Sequence, residues 1–147
     1  MQLFRHSLLS RAAKVKAMYK IIGELESLGD SGESISRILS RRNIHNKHFT
    51  EQHIEKIDTM LALVDNAYKI MITNLQTTEN TSDNLRCAVD CEIEINDMRN
   101  TLREAEILKI EQNDTEYQSS VYYLDLISEI ERMGDFMINI SEALQSK

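Results

Sequence analysis

Apolar residues in this 147-residue chain recur in steps of three and four, the spacing of one face of an α-helix, along nearly its whole length. From Met18 the stripe reads Met18, Ile21, Leu25, Leu28, Gly32, Ile35 and Leu39, which predicts a long first helix over about 5–42. Asn43, Asn46 and their polar neighbours mark a loop. Thr50 then offers a hydroxyl to cap a second helix, with Glu51 near the positive end of its dipole. The stripe Ile54, Ile57, Leu61, Val64, Tyr68, Met71 and Leu75 carries that helix over about 50–77. The polar run Thr77, Thr78, Glu79, Asn80, Thr81 breaks the pattern, and Ser82 or Asp83 can cap a third helix over about 82–112. Its stripe, Ala88, Cys91, Ile95, Met98, Leu102 and Ala105, is the least apolar of the four. After a turn at Asn113, a fourth helix over about 115–146 carries Tyr123, Leu126, Ile130, Met133, Met137, Ile140 and Leu144. Short loops between long helices favour antiparallel neighbours. The expected fold is all-α: one domain over 1–147, an antiparallel up-down-up-down four-helix bundle.

Composition agrees. There is no proline, only four glycines interrupt the helical pattern, and the few aromatics argue against a sandwich or barrel. A chain of this length buries about 68–70% of its unfolded surface, enough to fold without a staple. Cys87 and Cys91 stand four apart in a helical pattern and close no useful disulfide loop. They read as reduced, buried small residues in a cytoplasmic setting. Most of the seven methionines fall on the stripes and read as core rather than as a peptide-binding groove. No apolar run approaches the ~18–20 residues that span a bilayer.

Charge adds an asymmetry. The formal net charge is −7, yet the first twenty residues hold five basic side chains and no acid, so the rest carries −12. So acidic a balance excludes nucleic acid as a partner, which requires a basic face over much of the molecule. The basic start has two readings: a solvated helix face, or a segment lying on the anionic inner membrane surface.

Shifting the chain by 105 residues lays Ile22–Leu39 on Ile127–Leu144 with eight identities in eighteen positions. Periodicity accounts for the matched apolar residues; it does not account for Glu24/Glu129, Glu26/Glu131, Gly29/Gly134 and Asp30/Asp135. Each copy reads Glu-x-x-Gly-Asp. A glycine inside a helix costs about 1 kcal/mol against alanine, so its recurrence suggests close approach by another backbone or a bound group. Glu26 with Asp30, and Glu131 with Asp135, place paired carboxylates on one helix face, hard ligands for a divalent or ferric ion. Heptad assignment puts Glu26 and Asp30 off the seam, so a metal would sit outside the bundle, and antiparallel helices bring the motifs within roughly two turns of the same height. Whether they form one surface or two stays open. A ferritin-like di-iron site needs inward Glu-x-x-His pairs, which this chain lacks. His45, His48 and His53 fall in or beside the first loop and read as solvated.

Glu131, Arg132, Met133, Gly134, Asp135, followed by Asn139 and Ile140, resembles the acidic signature of the PhoU family; Glu26 to Asp30 is a looser match, with serine in place of arginine. The resemblance covers most of the chain. Helices two to four look like one complete three-helix unit and helix one like the last helix of a preceding unit, a truncation relative to the two-unit regulator. The resemblance implies a PhoU-like cytoplasmic domain of a bacterial sodium-phosphate cotransporter, on the cytoplasmic side of the cell membrane, regulating phosphate uptake through contact with the transporter's membrane portion. It also implies metal, iron or another divalent ion, at Glu26, Asp30, Glu131 and Asp135. The alternative is a free-standing adaptor linking a phosphate transporter to a sensor kinase. A metal store or metalloenzyme, and a structural bundle that forms a homodimer through its seam, are further rivals. No activated nucleophile, phosphate-cradling glycine loop or metal triad is present, so no catalytic activity is expected.

Overall fold

A computed structural model describes residues 1–77 and 82–145. Thr78, Glu79, Asn80 and Thr81 of the predicted break, and the expected end of helix four at 146, lie outside the described residues. Four helices account for the fold: α1 (Gln2–Ile44), α2 (Glu51–Gln76), α3 (Ser82–Glu111) and α4 (Tyr117–Gln145). The loops close as their asparagines suggest. Asn46 (φ 53) and Asn113 (φ 54) adopt the left-handed conformation just past α1 and α3. In each case the next residue returns its backbone N–H five positions back, Lys47 to Arg42 O and Asp114 to Lys109 O, a Schellman ending. Thr50 caps α2 as predicted: its Oγ1 accepts from the backbone N–H of His53 at 3.1 Å, and His53 Nδ1 accepts from the Thr50 backbone N–H at 3.3 Å.

Cross-helix contacts give the directions. His45 at the end of α1 meets Tyr122 near the start of α4, while Glu24 meets Asn139, so α1 and α4 run antiparallel. His53 stacks on Tyr123 and Asn74 reaches Ser141, so α2 runs with α4; Asn66 to Cys91 sets α3 against α2. The up-down-up-down bundle is therefore observed, with one departure from a closed ring. Helices α2, α3 and α4 pack on one another, whereas α1 packs on α4 alone. Helix α4 is the hub, burying Tyr123, Leu126, Ile127, Ile130, Met137 and Ile140. It packs against all three other helices and leaves one polar stripe, Asp125, Ser128, Arg132 and Glu142, exposed.

The predicted stripes of α3 and α4 match the core except at Ala105, which is exposed while Glu106 beside it is buried. Those of α1 and α2 require correction. Met18 and Leu25 are exposed, and α1 faces α4 through Ala17, Ile21, Leu28, Ser31, Ile35 and Ile38. In α2 the predicted Ile54, Leu61, Tyr68 and Leu75 are exposed, and the buried row lies one position earlier, at His53, Met60, Ala67 and Asn74. In α2 polar or small residues, His53, Ala67 and Asn74, hold the contact row while more apolar residues stand beside them; in α1 the row keeps Ile21, Leu28 and Ile35 but takes in Ala17 and Ser31 rather than Met18 and Leu25. His53 and Asn74 tolerate burial because Glu106 and Ser141 satisfy them.

Candidate functional site

The four motif carboxylates form two pairs on two surfaces. Glu26 and Asp30 are exposed on α1, off the contact row as expected. Asp30 borders a shallow cleft between α1 and α4 with Ser27, Ser31, Ser34, Glu129 and Arg132. The second pair departs from the expectation of an outward-facing site: Glu131 is 9% exposed and lies between α4 and α3. The cause is the packing of α3 on this face of α4, which brings Arg99 against Glu131.

Gly134 makes this second pair possible. A Cβ there would lie 2.9 Å from Cδ1 of Ile95, so its glycine permits α3 to approach α4 closely, as the repeat suggested. Gly29 is different, since a Cβ there would meet nothing within 4 Å. Within this chain the conserved spacing of the two copies thus has a packing reason at one glycine only.

Burial pushes both Glu131 and Asp135 above the usual carboxylate range, with the charge of Asp135 adding to the rise at Glu131. The interaction between the two carboxyls adds to the rise at Glu131 and partly offsets the rise at Asp135. Arg99 of α3 approaches Glu131 Oε2 at 3.7 Å and opposes the rise at both groups. Glu92, one helical stretch away on α3, is also pushed up, first by burial and then by the charge of Asp135. Asn96 Oδ1 and Arg99 Nε are buried here without hydrogen-bond partners. The arrangement is a pair of carboxyls with raised pKa beside a guanidinium, with unsatisfied polar atoms on α3. Among the described residues no three His, Cys, Asp or Glu side chains converge as a metal site. Each motif therefore supplies two carboxylates at most, and the donor set of this chain alone does not complete a metal's coordination shell.

One buried network escaped the sequence reading. His53, expected as solvated, is 3% exposed in α2. Its Nδ1 accepts from the Thr50 backbone, which assigns the proton to Nε2, and Nε2 donates to Glu106 Oε1 at 2.8 Å. Ser120 Oγ donates to the same oxygen at 2.7 Å, and Thr115 Oγ1 lies 2.9 Å from Ser120 Oγ. Tyr123 stacks on His53 at 4.3 Å between centroids, and burial with the nearby Glu106 pushes its hydroxyl up to about 12. The signal available in sequence was the spacing of Glu106 four residues past Leu102, one position beyond Ala105 of the predicted α3 stripe. The remaining histidine contact is polar too: His45 Nδ1 pairs with Tyr122 Oη at the surface. Of the cysteines, Cys91 is buried as expected and its thiol is pushed up by burial, whereas Cys87 is exposed.

No helix among the described residues is long and apolar enough to cross a membrane. In comparisons with known proteins, no family model, curated protein or solved structure matches this chain.

Proposed function

We propose that this chain is a PhoU-like regulatory module that acts by contact with a membrane phosphate transporter on the cytoplasmic side of the cell membrane, and that it restrains or tunes phosphate uptake. The observation that supports this reading is the division of labour between the repeated helices. Helix α4 completes a three-helix unit with α2 and α3, and α1 repeats α4 in register while standing outside that unit. That is the arrangement the family resemblance implies. Among the described residues no site suited to a chemical reaction competes with it: the half-buried Glu131–Asp135 pair has a guanidinium rather than a nucleophile as its partner, and the His53 network has the carboxylate, not the imidazole, facing the serine.

The acidic motifs enter as binding groups. An ion held at either pair takes its remaining ligands from water or from the partner surface, so metal and partner would bind together. The basic residues of early α1 suit an approach to an anionic membrane surface.

The test is deletion of the domain's coding region in its native host, with phosphate uptake measured under phosphate-replete and phosphate-starved conditions. Altered uptake, restored by the wild-type domain, is the expected result. Unchanged uptake kinetics and an unchanged response to starvation refute the proposal. Restoring with Glu26, Asp30, Glu131 and Asp135 all changed to alanine separates the metal component, since full rescue by that variant removes any role for those carboxylates.

A further inference from the structure

Helix α1 has two faces, and only one is used within the chain. Beside its α4-facing row runs a second heptad seam: Phe4, Leu8, Arg11, Val15, Met18, Ile22, Leu25 and Gly29, in unbroken alternation of three and four. Its apolar members are exposed, among them Phe4 at 73% and Met18 at 60%. Residues 1–12 are exposed throughout; Ala13 and Ala17, beside Ala143, are the first to meet α4. A helix segment without packing is marginal in water, and four heptads of exposed seam call for a helical partner.

The composition of the seam says which partner. Its outer positions in the first half, Phe4, Leu8 and Arg11, are bulky, and those in the second half, continuing from Gly29 through Gly32 to Ser36, are small. The same helix is basic at Arg5, Arg11, Lys14, Lys16 and Lys20, then acidic at Glu26, Asp30 and Glu33. Each half therefore complements the other in volume and in charge, but only when two copies of α1 run in opposite directions. A parallel pair would set five cations against five.

We infer that α1 forms an antiparallel coiled coil with α1 of a second copy of this chain, centred near Lys20. In that register Met18 packs against Ile22 of the second copy, Val15 against Leu25, Arg11 over Gly29, and Leu8 over Gly32. Arg5 flanks Glu33 of the second copy on the outside of the seam. The two glycines gain the role they lack within the chain, where a Cβ at either would meet nothing within 4 Å. Phe4 falls over Ser36 of the second copy, at the rim of an apolar groove of about 230 Å³ lined by Ile35, Leu39, Ile54, Leu61, Leu126 and Ile130. That groove is the space left because α1 and α2 do not touch. The inference rests on α1 alone and is independent of the phosphate reading.

Sedimentation equilibrium of the full chain, with the variants Gly32→Phe, Arg5→Glu and Arg5→Glu/Glu33→Arg, tests it. The expected wild-type species has twice the 17.0 kDa chain mass. Gly32→Phe, which has open space in the single chain, keeps its helical circular dichroism and sediments as a monomer. Arg5→Glu raises the dissociation constant roughly tenfold, since both symmetry-related pairs become repulsive, and adding Glu33→Arg restores it. A wild-type monomer at all concentrations overturns the inference. So does a dimer that Gly32→Phe leaves intact, or one in which Glu33→Arg fails to rescue Arg5→Glu.

Discussion

Replacing Glu106 with alanine is the sharpest probe of what holds α2, α3 and α4 together. The carboxylate is 3% exposed and accepts from His53 Nε2 at 2.8 Å and from Ser120 Oγ at 2.7 Å. The substitution leaves Ser120 with Thr115 as an alternative partner at 2.9 Å, but it strips the buried His53 Nε2 of its only acceptor. One orphaned buried donor costs about 1–3 kcal/mol, and the lost hydrogen bonds to a charged acceptor with the small cavity bring the sum to about 3–5 kcal/mol. For a chain of this size that lowers Tm by about 10 °C. Urea denaturation followed by far-UV circular dichroism measures it directly. Glu106→Gln is the control: it keeps the volume and one acceptor oxygen, so its loss should be roughly half as large. A change below about 1 kcal/mol for Glu106→Ala would refute the reasoning, because the network would then be satisfied by something other than its protein partners.

Two further predictions follow from the repeat. Gly29→Ala, where the new methyl meets open space, should stabilise the chain by about 0.5–1 kcal/mol through helix propensity. Gly134→Ala, whose methyl would press on the 1%-exposed Ile95, should instead destabilise by about 1 kcal/mol, overpacking outweighing propensity. Denaturation at concentrations where the chain is monomeric compares them, and equal effects would remove the distinction between the two copies. For pH, Glu131 and Asp135 are raised in the folded state by burial, so the fold binds protons that the unfolded chain has released. Their contribution is greatest below the unfolded carboxylate range and declines as pH rises through the raised values; Asp135→Asn should flatten that decline in a pH series of urea melts. Glu116 acts with the opposite sign. The backbone N–H of Ser119 holds it down to about 2, so its contribution is lost only as pH falls toward that value. A decline with rising pH that Asp135→Asn leaves unchanged would place its origin elsewhere.

The chain's periodicity was enough to place four helices, their loops and the all-α fold, because spacing of apolar residues and the αL-prone Asn46 and Asn113 act locally. The repeat of Glu-x-x-Gly-Asp was equally plain in the sequence. What sequence alone did not decide was which row of each helix faces inward. In α2 the buried row contains His53 and Asn74, whose burial is favourable only because Glu106 and Ser141 lie across the interface, 53 and 67 residues away. In α1 the contact row keeps Ile21, Leu28 and Ile35 of the predicted stripe but includes Ala17 and Ser31, while the more apolar Met18 and Leu25 stay exposed.

The two copies of the motif diverge for the same reason. Identical letters at Glu26 and Glu131, and at Gly29 and Gly134, sit in different environments because α3 packs on α4 and nothing of this chain packs on the matching face of α1. Residue type fixes which groups can share a proton, cap a helix or approach a backbone. Burial, which raises the pKa of Glu131 and Asp135 while their counterparts Glu26 and Asp30 stay exposed, belongs to the tertiary arrangement: desolvation depends on what covers a side chain, and the covering helix is far away in the chain.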